Sequence, residues 1–169
     1  MAPPRYNVLF LCVRNSARSI MAEAILNSLA INRGRFRAYS AGSHPADQVN
    51  YFAFEQIRNA GLPAVGLQPK SWREFAKPEA PRLQFVFTVC DVLAGDRCPV
   101  WPDDPLAAHW SVDDPAAVEG DEAARRRAFS QAFIYLYNRI NIFASLPLEN
   151  LDRVGLKRRL EEIGAFDRR

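Results

Sequence analysis

The sequence predicts an α/β fold, a small parallel sheet with helices on both faces. Apolar runs of strand length alternate along the chain with segments of helical periodicity, the order that right-handed βαβ units require. Leu83 to Val89 is a continuous apolar and β-branched run, as in a strand covered on both sides. At 169 residues and 49% hydrophobic, the chain suits one compact domain over 1–169, with a C-terminal helical extension over about 145–169.

The elements follow in order. A first strand is expected over about Asn7 to Leu11. Ser19 to Asn32 then carries Ile20, Ala24, Leu26 and Leu29 at helical spacing, with Gly34 as its stop. Arg37 to Ser40 is a short strand, and Ala41 to Pro45 a turn. A second helix runs from Gln48 to Ala60 and closes at Gly61, and Ser71 to Phe75 makes one capped helical turn. The strand Leu83 to Val89 ends at Cys90. Asp91 to Ala117 turns to Pro, Asp, Gly and Trp, a long loop with a short strand near His109 to Val112. Asp121 to Asn141 is a long helix and Glu149 to Ile163 a last one, with Leu148, Leu151, Val154 and Leu160 on one stripe. That stripe suits packing on its own domain, a weak dimer contact or a docking surface, so a monomer or weak dimer is expected.

Composition narrows the function. With 22 basic and 19 acidic residues, net +3, the charge is too mild and scattered for a nucleic-acid binder, and Arg125-Arg126-Arg127 reads as a solvated helix face. No run approaches the roughly 20 apolar residues of a membrane span, and no export signal opens the chain, so a cytoplasmic protein is expected. Three cysteines, Cys12, Cys90 and Cys98, then read as reactive thiols, not a disulfide framework. His44 and His109 lie at no metal-ligand spacing from them and read as structural, while Trp72, Trp101 and Trp110 read as packing anchors.

Cys12-Val13-Arg14-Asn15-Ser16-Ala17-Arg18-Ser19 lies between the first strand and the first helix. A loop there aims its backbone N–H groups and the positive end of the helix dipole at one point, so Val13, Arg14, Asn15, Ser16, Ala17, Arg18 and Ser19 are the expected oxyanion cradle. The same field should make Cys12 a thiolate nucleophile, with Arg18 offering a planar fork of donors to two anion oxygens. Cys12 and Cys90 each follow a predicted strand, so both should face the carboxyl rim where such sheets bind ligands. Taken alone, Cys90 and Cys98 can also be read as packed core thiols, and Asp114 as a cap before Pro115, each as the lesser reading.

Cys-x5-Arg-Ser in this setting resembles the low-molecular-weight protein tyrosine phosphatases. The fuller string Asn15-Ser-Ala-Arg-Ser-Ile-Met-Ala-Glu23 is similar to their relatives, the thioredoxin-coupled arsenate reductases. Thr88-Val-Cys90-Asp91, Cys98-Pro99 and His109-Trp110-Ser-Val-Asp113-Asp114-Pro115 resemble the redox segment and acid loop of those reductases, a cysteine pair the phosphatases lack. The likeness runs from about Tyr6 to Asn141.

The resemblance implies a three-layer flavodoxin-like fold with four parallel strands, and a thiol relay without bound cofactor. Cys12 attacks arsenate, Cys90 attacks Cys12 to release arsenite, and Cys98 takes over the disulfide for an external dithiol, thioredoxin or glutathione with glutaredoxin. Asp114 matches the acid that protonates the leaving oxygen, with Asp113 as runner-up, and Asn15 is expected at positive φ. A disulfide needs Cα atoms about 4.4–6.8 Å apart, whereas eight extended residues span roughly 26 Å. Asp91 to Pro105 is therefore expected to rearrange, hinging at Gly95.

Three departures stand out. Val13 and Arg14 replace smaller residues, making the rim bulkier and more charged, and Trp101 to Pro105 is unusually acidic beside an anion site. Some relatives bind potassium near the loop. Asn15, Glu23 and Ser40 match that set, but Ser71 stands where an Asp is expected, so no metal is assigned. A phosphatase acting through phosphocysteine and an oxyanion or redox sensor without turnover are the alternatives.

Overall fold

The computed structural model describes residues 5–29, 33–90 and 99–166. Its centre is a four-stranded, all-parallel sheet in the order β2-β1-β3-β4, formed by β1 (Tyr6–Cys12), β2 (Phe36–Gly42), β3 (Phe85–Thr88) and β4 (Leu106–His109). The helices are α1 (Arg18–Ser28), α2 (Tyr51–Asn59), α3 (Glu122–Ala144) and α4 (Arg153–Ala165), with 3-10 turns at Trp72–Phe75, Pro115–Ala117 and Leu148–Asn150. The expected α/β class and parallel sheet are what the chain adopts. No helix among the described residues is long and apolar enough to cross a membrane.

The central strand explains the core. Val8, Leu9, Phe10 and Leu11 are all fully buried, as a strand with neighbours on both edges and cover on both faces must be. Each such side chain contributes about 1.5–3 kcal/mol relative to exposure. Alternation puts Phe10, Phe85 and Phe87 on one face, where Phe143 of α3 stands 5.1 Å from the rings of Phe36, Phe85 and Phe87. Trp110 stacks on Phe87 at 3.8 Å. On the other face Phe75 meets Tyr39 edge-on at 5.4 Å.

Several boundaries differ from expectation, each for a local reason. Helix α1 stops at Ser28, short of Asn32. Asn27, in the last turn of the helix, holds both backbone groups of Ala38 in β2, accepting from its N–H at 2.8 Å and donating to its carbonyl at 3.1 Å, and the backbone turns extended at Leu29. Helix α2 begins later than Gln48 because Asn50 caps it, its side chain accepting from Phe52 N at 2.8 Å. Strand β4 starts three residues before the expected His109, since Ala107 and Ala108 carry little β signal while Leu106 N donates to Gln84 O at 2.9 Å and opens the ladder. Helix α4 starts after Asp152, whose side chain caps Gly155 N at 2.7 Å, and not at Glu149. Val154 does not share its buried stripe: it is 72% exposed, and Leu156, Leu160 and Ile163 face inward instead. Arg125 and Arg127 are exposed as expected, and the half-exposed Arg126 also donates to both Glu55 oxygens, at 2.6 and 3.2 Å, tying α3 to α2.

Candidate active site

The loop from Val13 to Ala17 links β1 to α1, and its carbonyls are turned outward by a second segment of chain. His44 N donates to Val13 O at 2.8 Å, Ala46 N to Arg14 O at 2.9 Å and Asn50 N to Ser16 O at 2.8 Å. With three carbonyls engaged on the outside, the loop's own amides are left for the concave side, where the first turn of α1 also has no side-chain cap. Asn15 makes the turn possible: it is buried at φ 48, a conformation Asn tolerates better than most residues. Its side chain donates to Ser19 Oγ at 2.8 Å and accepts from Lys70 N at 2.9 Å. Gly42, which ends β2, lies so close behind the loop that a Cβ would sit 2.5 Å from Val13 O.

Cys12 closes β1, and the Val89 N–H that donates to Leu11 O at 2.9 Å carries β3 on to Cys90 beside it. Both cysteines are buried and neither is in a disulfide, and the Cys90 side chain lies within hydrogen-bonding reach of Cys12. That contact reverses the expectation for Cys12. The hydrogen bond to Cys90, and after it burial, hold the thiol well above its ordinary pKa, while Arg18 and the Val13 N–H pull it down without prevailing. Proton loss from this pair is therefore a step of its own and not a given.

Arg18 is mostly buried, with its side chain 12% exposed. One arm donates to Val112 O at 2.9 Å, and the other stands 3.7 Å from Asp114 Oδ2. The segment of Asp114 and the loop of Cys12 are thus joined through Arg18. Asp114 also caps the turn after it, accepting from Ala116 N at 3.0 Å, so the capping role open to it in sequence is filled. Asp113 is exposed next to it.

Val13, Arg14, Asn15, Ser16, Ala17, Arg18, Ser19, Cys12, Cys90 and Asp114 all fall around this rim. Cys98 and the expected hinge Gly95 lie outside the described residues. The acidic segment is remote: Asp103 pairs with Arg82 at 3.0 Å and Asp104 with Arg153 at 3.2 Å, at the amino ends of β3 and β4. His44 braces the loop through its backbone, and His109 is hydrogen-bonded to Thr88. Trp72 and Trp110 are buried, and Trp101 packs on the core.

Two residues were not singled out in sequence. Lys70 places its ammonium 2.9 Å from Gln68 O, 3.2 Å from Ser40 O and 3.9 Å from Glu23 Oε1. Glu23, which accepts from Ser40 Oγ at 2.6 Å, is held above the usual carboxylate range by burial, which Ser40 and Lys70 only partly offset. Glu23 and Ser40 of the potassium set therefore face a lysine ammonium, which supplies positive charge there, while Asn15 accepts from the Lys70 backbone N–H; a set so occupied does not fit a potassium ion. Among the described residues no cluster of His, Cys, Asp or Glu could hold a metal ion. Arg139, 3% exposed, is the other. Its signal was present, because Leu136, Arg139, Ile140 and Phe143 form an apolar stripe with one charge in it.

The sequence model of the low molecular weight phosphotyrosine protein phosphatase family matches residues 7–152. An arsenate reductase of Oceanobacillus iheyensis is 31% identical over 137 residues, covering 81% of this chain and 94% of that protein. Among solved structures, an arsenate reductase from Archaeoglobus fulgidus is similar with a TM-score of 0.58 and 29% identity, over 79% of this chain and 98% of the other. A low molecular weight protein tyrosine phosphatase from T. tengcongensis has a TM-score of 0.64 at 22% identity, over 86% and 99% of the two chains, and shares the fold.

Proposed function

Because the chain belongs to the low molecular weight phosphotyrosine protein phosphatase family, we propose that it is an arsenate-reducing enzyme within it, working in the cytoplasm through Cys12, Cys90 and Cys98. The observation that carries this reading is a second buried thiol, Cys90, brought beside Cys12 at the mouth of the anion loop by the Val89 N–H to Leu11 O bond. Hydrolysis through a phosphocysteine has no use for a second thiol at that place. The relatives named as arsenate reductases support the same substrate.

Arsenate is held by the amides of residues 13–19 and by Arg18. Cys12 enters as the thiol, and the arriving arsenate dianion, a base in contact with sulfur, takes its proton. The thiolate then attacks arsenic, and Asp114 protonates the oxygen that leaves as water. A Cys12–arsenic(V) adduct results. Attack of the Cys90 sulfur on the Cys12 sulfur forms a disulfide and breaks the sulfur–arsenic bond, whose electron pair stays on arsenic, so arsenic(V) becomes arsenite and two thiols become one disulfide. Cys98 attacks Cys90, freeing Cys12. An external dithiol, thioredoxin or glutathione with glutaredoxin, reduces the Cys90–Cys98 bond and returns the enzyme to its start.

Steady-state arsenate reduction with each reductant system, beside aryl phosphate hydrolysis on the same preparation, tests the proposal. Turnover that vanishes in Cys90→Ser, with any aryl phosphate hydrolysis surviving, is the expected result. Hydrolysis without arsenate reduction in the parent protein would make it a phosphatase, and neither activity would make it a sensor.

A further inference from the structure

The segment that leads into Asp114 is held from three directions. Trp110 is fully buried, and its indole N–H donates to Leu160 O in α4 at 2.9 Å. Ser111 O accepts from one arm of Arg139 at 2.8 Å, and the other arm reaches Phe166 O, just past the end of α4, at 3.2 Å. Val112 O accepts from Arg18 at 2.9 Å, while Val112 N donates to Val89 O at 3.2 Å, one residue before Cys90. Helix α4 is also fitted closely here: a Cβ on Gly164 would lie 2.6 Å from His109 O and 2.8 Å from the Trp110 ring.

All of α4 lies beyond residue 152, where the family match ends. At its start it is fastened along β4, with Arg153 paired to Asp104 at 3.2 Å and Lys157 hydrogen-bonded to Ala107 O. Its far end is the part that meets residues 109–111. A buried guanidinium with a carbonyl on each arm is a rigid fork, so the position of Ser111 is tied to that of Phe166.

From this geometry we infer that α4 and Arg139 form a clamp that sets the acid loop, with Arg139 a positioning residue acting through Asp114. The inference rests on the proposed role of Asp114 as the acid. Trp110 and Ser111 are fixed from behind by α4 and α3, and Val112 from the front by Arg18, so Asp114, two residues on, is carried on a segment with little freedom. Loosening the rear attachment moves the acid away from the leaving oxygen but leaves the amides that bind the anion in place, because those are braced by residues 44–50.

The test is a double-mutant comparison of arsenate reduction by the full chain. Arg139→Met should lower kcat about tenfold while the arsenate KM stays within about twofold, and it should lower kcat no further in an Asp114→Asn background. Arg139→Lys, which keeps the charge and loses one arm of the fork, is the milder variant should the Met protein fold poorly, and should show the same pattern at smaller amplitude. An equal loss from Arg139→Met in both backgrounds, a rise in KM with kcat intact, or no change would overturn the clamp alone. An Asp114→Asn protein with full turnover would remove the acid assignment and the clamp with it. Hydrolysis of p-nitrophenyl phosphate, run in parallel, gives the same comparison if arsenate is not turned over.

Discussion

Gly42→Ala is the substitution whose consequence can be worked most directly from the structure. The added Cβ would lie 2.5 Å from Val13 O, 2.9 Å from Cys12 O and 3.0 Å from Asn15 Cβ. Carbon and oxygen sit comfortably at about 3.3–3.6 Å, so the carbonyl of Val13 must retreat by about 1 Å. It is backbone, already hydrogen-bonded to His44 N at 2.8 Å, and cannot swing aside as a side-chain tip could. Gly42 is not among the positive-φ glycines, so the whole effect is steric. Overpacking of this kind costs about 1–3 kcal/mol, or roughly 2–4 °C in Tm per kcal/mol for a chain of this size. Displacing the anion loop by about 1 Å should lower kcat/KM for arsenate about 100-fold. Gly34→Ala is the control: Gly34 has φ +82 with nothing within 4 Å of its Cβ position, so it should lose stability with little change in kcat/KM. Thermal unfolding and steady-state kinetics on both proteins make the comparison. A Gly42→Ala enzyme with parental kcat/KM would refute the claim that this close approach shapes the cradle.

Three further outcomes follow from the site. Arg18→Lys keeps the charge but loses the fork that reaches both Val112 O and Asp114, so kcat/KM for arsenate should drop about 10²–10³-fold; a change under about threefold would count against Arg18 as the anion grip. In Cys90→Ala the largest cause holding Cys12 up is gone. Cys12 alkylation by iodoacetamide should therefore shift to lower pH, and an unmoved profile would show that the two thiols do not interact. Lys70→Ala removes the ammonium from among Gln68 O, Ser40 O and Glu23. Arsenate KM should rise about tenfold, equivalent to about 1.4 kcal/mol, and become responsive to potassium, whereas the parent enzyme should be indifferent to the choice between sodium and potassium salts.

What the sequence made legible was local. Cys12, Arg18 and the start of α1 came within one residue of their observed places, because a strand, a loop without Gly or Pro and an apolar helix are written in consecutive residues. Positive φ at Asn15 came from the family resemblance and is what the loop adopts, a conformation Asn tolerates. The Lys70 ammonium was not legible, since Gln68 O and Ser40 O are backbone carbonyls that no side-chain pattern advertises. Strand β4 was misplaced because its residues are weak strand formers selected by pairing with β3, a tertiary effect that overrides propensity. The field of the loop is readable from sequence, but the contact with Cys90 that pushes the Cys12 thiol up depends on how β1 and β3 align. Arg139 shows the remaining gap: a charge on an apolar stripe signals a buried cation, yet only the fold shows that its partners are Ser111 and Phe166.

The most direct test of the relay uses Cys98→Ser and one equivalent of arsenate without any reductant, followed by alkylation of free thiols and peptide mass spectrometry. The account predicts close to one arsenite per chain and a disulfide joining the Cys12 and Cys90 peptides. Arsenite released while Cys12 and Cys90 are both still alkylated, or joined to other partners, would contradict it.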